Sequence, residues 1–177
     1  MPSTLPVACR AGLRRRDMGF SLVELVVTVA IAAILAAIAI PSFRSMINSS
    51  RLTSHANELV ASLQLARSEA IKRNARVSVC GSADGATCGG GWAKNWLTVV
   101  EADGSVLRVN AVKAPVVVSS GVDRVTFRAD GLSSTAVNSS IIVCIPTGSP
   151  ADNQRVVTLA SAARVSSSRA DGGGACP

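Results

Sequence analysis

Apolar residues are gathered unevenly along the chain, and their spacing changes twice. From Phe20 to Ile40 the run is interrupted only by Ser21, Glu24 and Thr28. At about 1.5 Å per residue, a helix over this stretch spans roughly 30 Å, the thickness of a bilayer's hydrocarbon core. Further on, Leu52, Ala56, Leu59, Leu63, Ala66 and Ala70 recur at alternating spacings of four and three, which is one face of a helix. The opposite face carries Arg51, Asn57, Glu58, Ser68, Lys72 and Arg73. An amphipathic helix of this kind packs on the domain beside it.

After Asn74 the helical period disappears. Short β-rich runs follow at Val77–Cys80, Trp96–Glu101, Val106–Val109, Val116–Ser119, Val125–Arg128, Ser140–Ile145 and Arg155–Leu159, separated by turn residues. Ala-Asp-Gly occurs four times, at 83–85, 102–104, 129–131 and 170–172. The second copy joins two strand-like runs and predicts a hairpin with Asp103-Gly104 at its turn. No D-x-D spacing accompanies these triplets, so they read as turn chemistry rather than calcium loops. The expected fold is α+β: a long N-terminal helix packed on a C-terminal antiparallel β-sheet or a small two-sheet head. Pro41 is expected to kink the helix, because it removes the bond to Ala37 and crowds that carbonyl.

The charge is +7, of which residues 1–19 carry +3 through Arg10, Arg14, Arg15, Arg16 and Asp17. The remaining +4, spread over a whole domain, does not by itself point to nucleic acid. Arginines before the apolar run predict a cytoplasmic N-terminus and a translocated C-terminal part. Aromatic residues are only 3% with no tyrosine, so the core must be aliphatic and small, and it needs staples. Four cysteines follow the apolar run: Cys80, Cys88, Cys144 and Cys176. In a translocated segment they suggest two disulfides, with three pairings open. The favoured one joins Cys80 to Cys88 across a short loop and Cys144 to Cys176 at the tail. The lone His55 and the absence of a C-x-x-C spacing disfavour a zinc site.

No catalytic constellation is visible. His55 reads as a solvated side chain near the polar helix face. No serine sits in G-x-S-x-G, and the glycines at 89–91 and 172–174 lack a following Lys-Ser/Thr. Trp92 and Trp96 flank a glycine-rich loop and are expected to pack over the core rather than stack on a ligand. No enzyme activity, metal or cofactor is expected.

Glu24 is the anomaly. A carboxylate within a membrane helix is costly and usually marks a partner. A signal peptide would have a shorter apolar stretch and a small-x-small cleavage site, and a plain anchor has no use for the acid. Gly19-Phe20 stands just before Ser-Leu-Val-Glu. Cleavage there would create an amine at Phe20, at the depth of a neighbouring subunit's Glu24.

With its basic leader followed by GFSLVELVVTVAIAAILAAIAIP, the chain resembles a type IV prepilin. The stretch SRLTSHANELVASLQLARSEAIKRNARVSVC (50–80), VTFRADGLSS (125–134) and IIVC (141–144) resemble the H-type pseudopilin and FimT–FimU minor pilin family. The resemblance implies a leader (1–19) removed between Gly19 and Phe20 by a prepilin peptidase, which also N-methylates Phe20. It implies a transmembrane helix (20–41), an amphipathic helix (42–75) and a periplasmic β-rich head (76–177). Glu24 is then an assembly residue. The implied partners are other minor pilins or pseudopilins, the major pilin and the inner membrane.

The implied function is assembly or tip formation in a type IV pilus. The alternatives are an H-type pseudopilin of type II secretion and a DNA-binding minor pilin of natural transformation. Some FimT-branch members bind DNA through a C-terminal Gly-Arg-x-Arg-like motif. The matching place here reads Ala163-Arg164-Val165-Ser166, keeping one arginine of the motif. Arg155, Arg164 and Arg169 are the residues that this third reading assigns to phosphate contact.

Overall fold

The computed structural model describes residues 20–136, 138–160 and 163–177. The leader, with Gly19, Cys9 and the four leader arginines, lies outside the described residues. One helix, α1 (Leu22–Arg73), contains Pro41. Eight strands follow: β1 (Val77–Ser82), β2 (Asn95–Val100), β3 (Val106–Ala111), β4 (Val117–Ser120), β5 (Arg124–Phe127), β6 (Ser139–Cys144), β7 (Gln154–Leu159) and β8 (Val165–Ala170). They form two antiparallel sheets, ordered β3-β2-β1-β5 and β4-β6-β7-β8. By contacts the chain divides into a unit ending at Ile40 and a unit from Pro41 onward.

The first unit is the apolar half of α1. Its aliphatic side chains are exposed throughout, from Leu22 to Ile40. In length and composition this helix can cross a membrane.

The second unit has its own core. Leu52, Ala56, Leu59, Leu63, Ala66 and Ala70, the stripe read from the sequence, are all buried. They share one cluster with Val77, Val79, Trp96, Val125 and Phe127 of the first sheet and Val118, Ile141, Val143, Val157 and Leu159 of the second. Trp96 donates its indole N–H to Ser62 Oγ at 3.0 Å, and Trp92 donates to the Val122 carbonyl at 2.8 Å. Both tryptophans are therefore packing residues. His55 differs from the expectation of a solvated side chain. It is buried and stands edge-on to the Trp96 ring, with centroids 6.4 Å apart. It follows Leu52 by three positions, which places it on the border of the buried stripe.

Seven strands fall where β-branched residues cluster. The eighth, β8, lies in the stretch expected to be a C-terminal tail. Val-Ser-Ser-Ser-Arg-Ala is exposed along most of its length and pairs only with β7. An edge strand with no buried face shows no apolar alternation.

The four Ala-Asp-Gly triplets share one device. Asp84, Asp103, Asp130 and Asp171 each accept the backbone N–H two residues on, at 2.8–3.0 Å. This is the aspartate turn that the triplet favours. Gly104 and Gly131 adopt φ of 70° and 75°, the left-handed region that glycine enters without strain. Asp84 goes furthest. Its carboxylate also accepts from the Thr87 N–H, the Thr87 hydroxyl and the Ser82 hydroxyl at 2.8–2.9 Å. These bonds, led by the one from the Thr87 backbone, hold its pKa well below the ordinary carboxylate range.

Two outcomes test this description. Leu59→Ala is expected to destabilise the head by about 2–5 kcal/mol in denaturant unfolding, with a value near zero placing Leu59 outside the core. Asp84→Ala is expected to lower the melting temperature at neutral pH. Its carboxyl is more acidic folded than unfolded, so the wild-type advantage is present above the unfolded pKa of about 3.9 and fades only as pH falls further. Melting curves of both proteins from pH 7 to pH 2 check the sign.

Candidate functional site

The start of α1 shows what Glu24 does locally. Ser21 precedes the first helical residue, and its hydroxyl accepts the Glu24 backbone N–H at 3.2 Å. Its carbonyl accepts the Leu25 N–H at 3.1 Å. Ser21 is therefore the N-cap, and Glu24 stands in the first turn. That is the favoured end for a carboxylate, because the first amides of the helix point their partial positive charge outward. The spacing Ser-x-x-Glu is a capping signature that explains Glu24 without a partner. Reading Glu24 only as a membrane charge overlooks it. Phe20 is exposed one residue ahead of the cap.

Two disulfides staple the head, Cys80–Cys88 and Cys144–Cys176. The first draws the loop after β1 back over the strand, where Gly89 N–H bonds the Gly81 carbonyl at 2.8 Å and Ala83 N–H bonds the Gly89 carbonyl at 2.9 Å. A side chain at Gly81 would collide with the Gly91 carbonyl, so the close approach depends on glycine. The second anchors the C-terminal residues. Around it, buried Asn153 donates to the carbonyls of Ile145 and Ala175 and accepts the Gly172 N–H at 2.8 Å.

The three arginines assigned to DNA are not brought together. Arg155 is buried on β7. It donates to the carbonyls of Asp152 and Gln154 at 2.9 Å and to Ser49 Oγ on α1 at 3.1 Å, with Asp152 Oδ2 at 3.7 Å. Desolvation pulls its pKa below the ordinary arginine value. It is a strut between sheet and helix, with no face left for a phosphate, which corrects the assignment of Arg155. Arg169 stands directly opposite it on β8, exposed, 3.4 Å from the same Asp152. Arg164 is exposed at the far end of β8, beside the Leu159–Val165 pair. Five residues of strand put about 16 Å between Arg164 and Arg169. Residues 165–170 form a strand rather than a loose tail.

Comparison with known proteins now bears on these features. The family model described as Type II transport protein GspH matches residues 55–163, more than half of the chain. The chain belongs to the GspH family. The model of the prokaryotic N-terminal methylation motif matches residues 14–40, covering the apolar half of α1 and the basic residues before it. Crystal structures of the type IV minor pilin FimU of Pseudomonas aeruginosa are similar. One has 28% identity and a TM-score of 0.53, covering 66% of this chain and 92% of that one. The other has 28% identity and a TM-score of 0.54, covering 67% and 88%. The minor pseudopilin EpsH of the Vibrio cholerae type 2 secretion system shares the fold at 12% identity and a TM-score of 0.52, covering 67% of this chain and 97% of that one. No curated protein matches the chain. As a GspH-family member the chain is an H-type minor pilin or pseudopilin, in a family of structural subunits rather than enzymes. The apolar helix and the methylation motif together are consistent with membrane anchoring.

The strut makes a prediction that separates the arginines. Arg155→Ala is expected to destabilise the head by about 1–3 kcal/mol, because it strips hydrogen bonds from buried partners. Arg164→Ala is expected to stay within about 0.5 kcal/mol. Thermal unfolding of the two variants checks the difference.

Proposed function

We propose that this chain takes part in assembly of a type IV pilus, or forms its tip, as a minor pilin. The observation that carries the choice is the likeness to FimU at 28% identity over 92% of its length. The likeness to EpsH, at 12%, speaks for the fold alone. The pseudopilin role in type II secretion is therefore the second reading.

In the proposed cycle the leader is cut between Gly19 and Phe20 by a prepilin peptidase, which then methylates the new amine of Phe20. The helix of residues 20–41 is retained and anchors the subunit in the inner membrane, with its N-terminus cytoplasmic and the head periplasmic. Pro41 gives the helix a kink where it leaves the bilayer. On extraction into the filament, alongside other minor pilins and the major pilin, the exposed aliphatic side chains of α1 exchange lipid for neighbouring helices. Glu24 of one subunit then pairs with the Phe20 amine of another.

A DNA-uptake role receives no support from the tail. Arg155 is withdrawn into the head and Arg169 is paired with Asp152. Arg164 and Arg169 remain exposed, but they stand apart on the strand rather than forming one cluster.

Two measurements test the main reading. Intact-mass analysis of the protein from cells carrying a prepilin peptidase is expected to show loss of residues 1–19 and gain of one methyl group. An unprocessed chain, or a cut beyond Pro41, contradicts it. Glu24→Ala is expected to insert and be processed normally but to be depleted from sheared filaments. Normal incorporation removes the pairing step.

A further inference from the structure

Away from the apolar segment, one groove of the head collects more cations than acids. It lies between α1 and β3, with a volume of about 480 Å³. Arg51, His55 and Glu58 line it from α1, and Arg108 and Asn110 line it from β3, with Lys113 just beyond that strand. Spacings of four and three put the helical residues on one face. Asn110 and Arg108 pair with Trp96 and Thr98 of β2, so they lie on the side of the sheet that meets the helix. Asn110 accepts a bond from Ser62 of α1 at 3.2 Å. Because β3 is the outermost strand, its inner face overhangs the flank of the helix and makes the groove.

The electrostatics are lopsided. Arg51, Arg108 and Lys113 are exposed and take part in no ion pair among the described residues. Glu58 is the one acid in the lining. Its Oε2 lies 3.6 Å from His55 Nδ1, which makes no hydrogen bond. Among the described residues, two buried side-chain polar atoms lack a partner, His55 Nδ1 and Thr98 Oγ1. His55 lines this groove, and Thr98 lies behind it as the buried cross-strand neighbour of Arg108. His55 itself is 9% exposed. Three unpaired cations and one unpartnered imidazole nitrogen therefore line a single concave site, where Glu58 is the one acid.

We propose that this groove receives a carboxylate-bearing segment of a neighbouring protein subunit. That the neighbour is a filament subunit rests on the reading above; the chemistry of the groove does not. The guanidinium groups of Arg51 and Arg108 present planar donor forks suited to a carboxylate, and Lys113 adds a point charge at the rim. A protein segment fits better than a nucleic acid. Glu58 inside the lining repels a continuous row of phosphates, whereas one acidic side chain can enter beside it.

The experiment uses the full chain in non-ionic detergent and a fluorescent hexaglutamate peptide, read by anisotropy. Binding is expected at low ionic strength, weakening as salt is added. Arg51→Ala with Arg108→Gln is expected to weaken it by about tenfold or more, while Arg76→Ala with Lys94→Ala, exposed cations outside the groove, leaves it unchanged. Matching melting curves show that the groove variant is folded. No binding at low salt, or equal loss in both double variants, overturns the proposal. So does a duplex oligonucleotide of equal charge that binds more tightly and is lost in the groove variant. Leader cleavage is read separately, by mass, so failure of the groove and failure of the filament reading give different results.

Discussion

Both sheets of the head close on one stripe of α1. Leu52, Leu59 and Leu63 supply its bulk, and Ala56, Ala66 and Ala70 keep it narrow enough for strand backbones to approach. Such a core is thin, with one phenylalanine and two tryptophans buried in it among the described residues. The polar residue set into the stripe then matters more than it would in a large core. The Ser62 hydroxyl shares its one proton between the Glu58 carbonyl and Asn110 Oδ1 and accepts from Trp96, so it pins that indole and the edge strand to the same turn of helix. Buried polar groups that are fully paired fix one arrangement among the several an aliphatic surface permits. The overhang of β3 beyond the helix follows from that pinning, and so does the groove beneath it.

Segments that the stripe does not reach are held by other means. The loop after β1 and the residues after β8 contribute few apolar side chains to the cluster. Each is tied by a disulfide, and each is lined with side chains that bond its backbone. Asp84 gathers the first loop, and Asn153 gathers the C-terminal residues. Cross-links of this kind act by limiting the unfolded chain as much as by contacts in the folded one. They suit a small head with little aliphatic surface to spare.

What the sequence disclosed depended on whether a physical constraint leaves a periodic trace. The buried stripe does, because every third or fourth residue must be apolar. The aspartate turns do, because each aspartate accepts the backbone N–H two residues on. β8 leaves none, since an exposed edge strand has no buried face to alternate. His55 sits where the stripe meets the polar face, and only the position of Trp96 shows it to be buried. Arg155 was misassigned because burial of an arginine depends on partners distant in sequence. Ser49 lies over a hundred positions away, and nothing local announces it.

Glu24 has one reason in the fold and, on the proposed reading, a second in assembly. In the isolated subunit it occupies the first turn of a capped helix, where the amide dipoles already favour a carboxylate. The acid is thus tolerated before any partner exists. The same dipoles act oppositely on the amine that leader removal would create at Phe20. A cation one residue ahead of the cap faces the positive end of its own helix. On the proposed reading, that amine is best relieved by a carboxylate displaced from its own axis, and a neighbour's Glu24, offset by the stagger between subunits, meets the requirement. On that reading the cap makes the acid stable while the subunit waits, and cleavage would supply the unfavourable charge that drives the pairing. Local helix chemistry and the proposed assembly step would then act in sequence on one side chain.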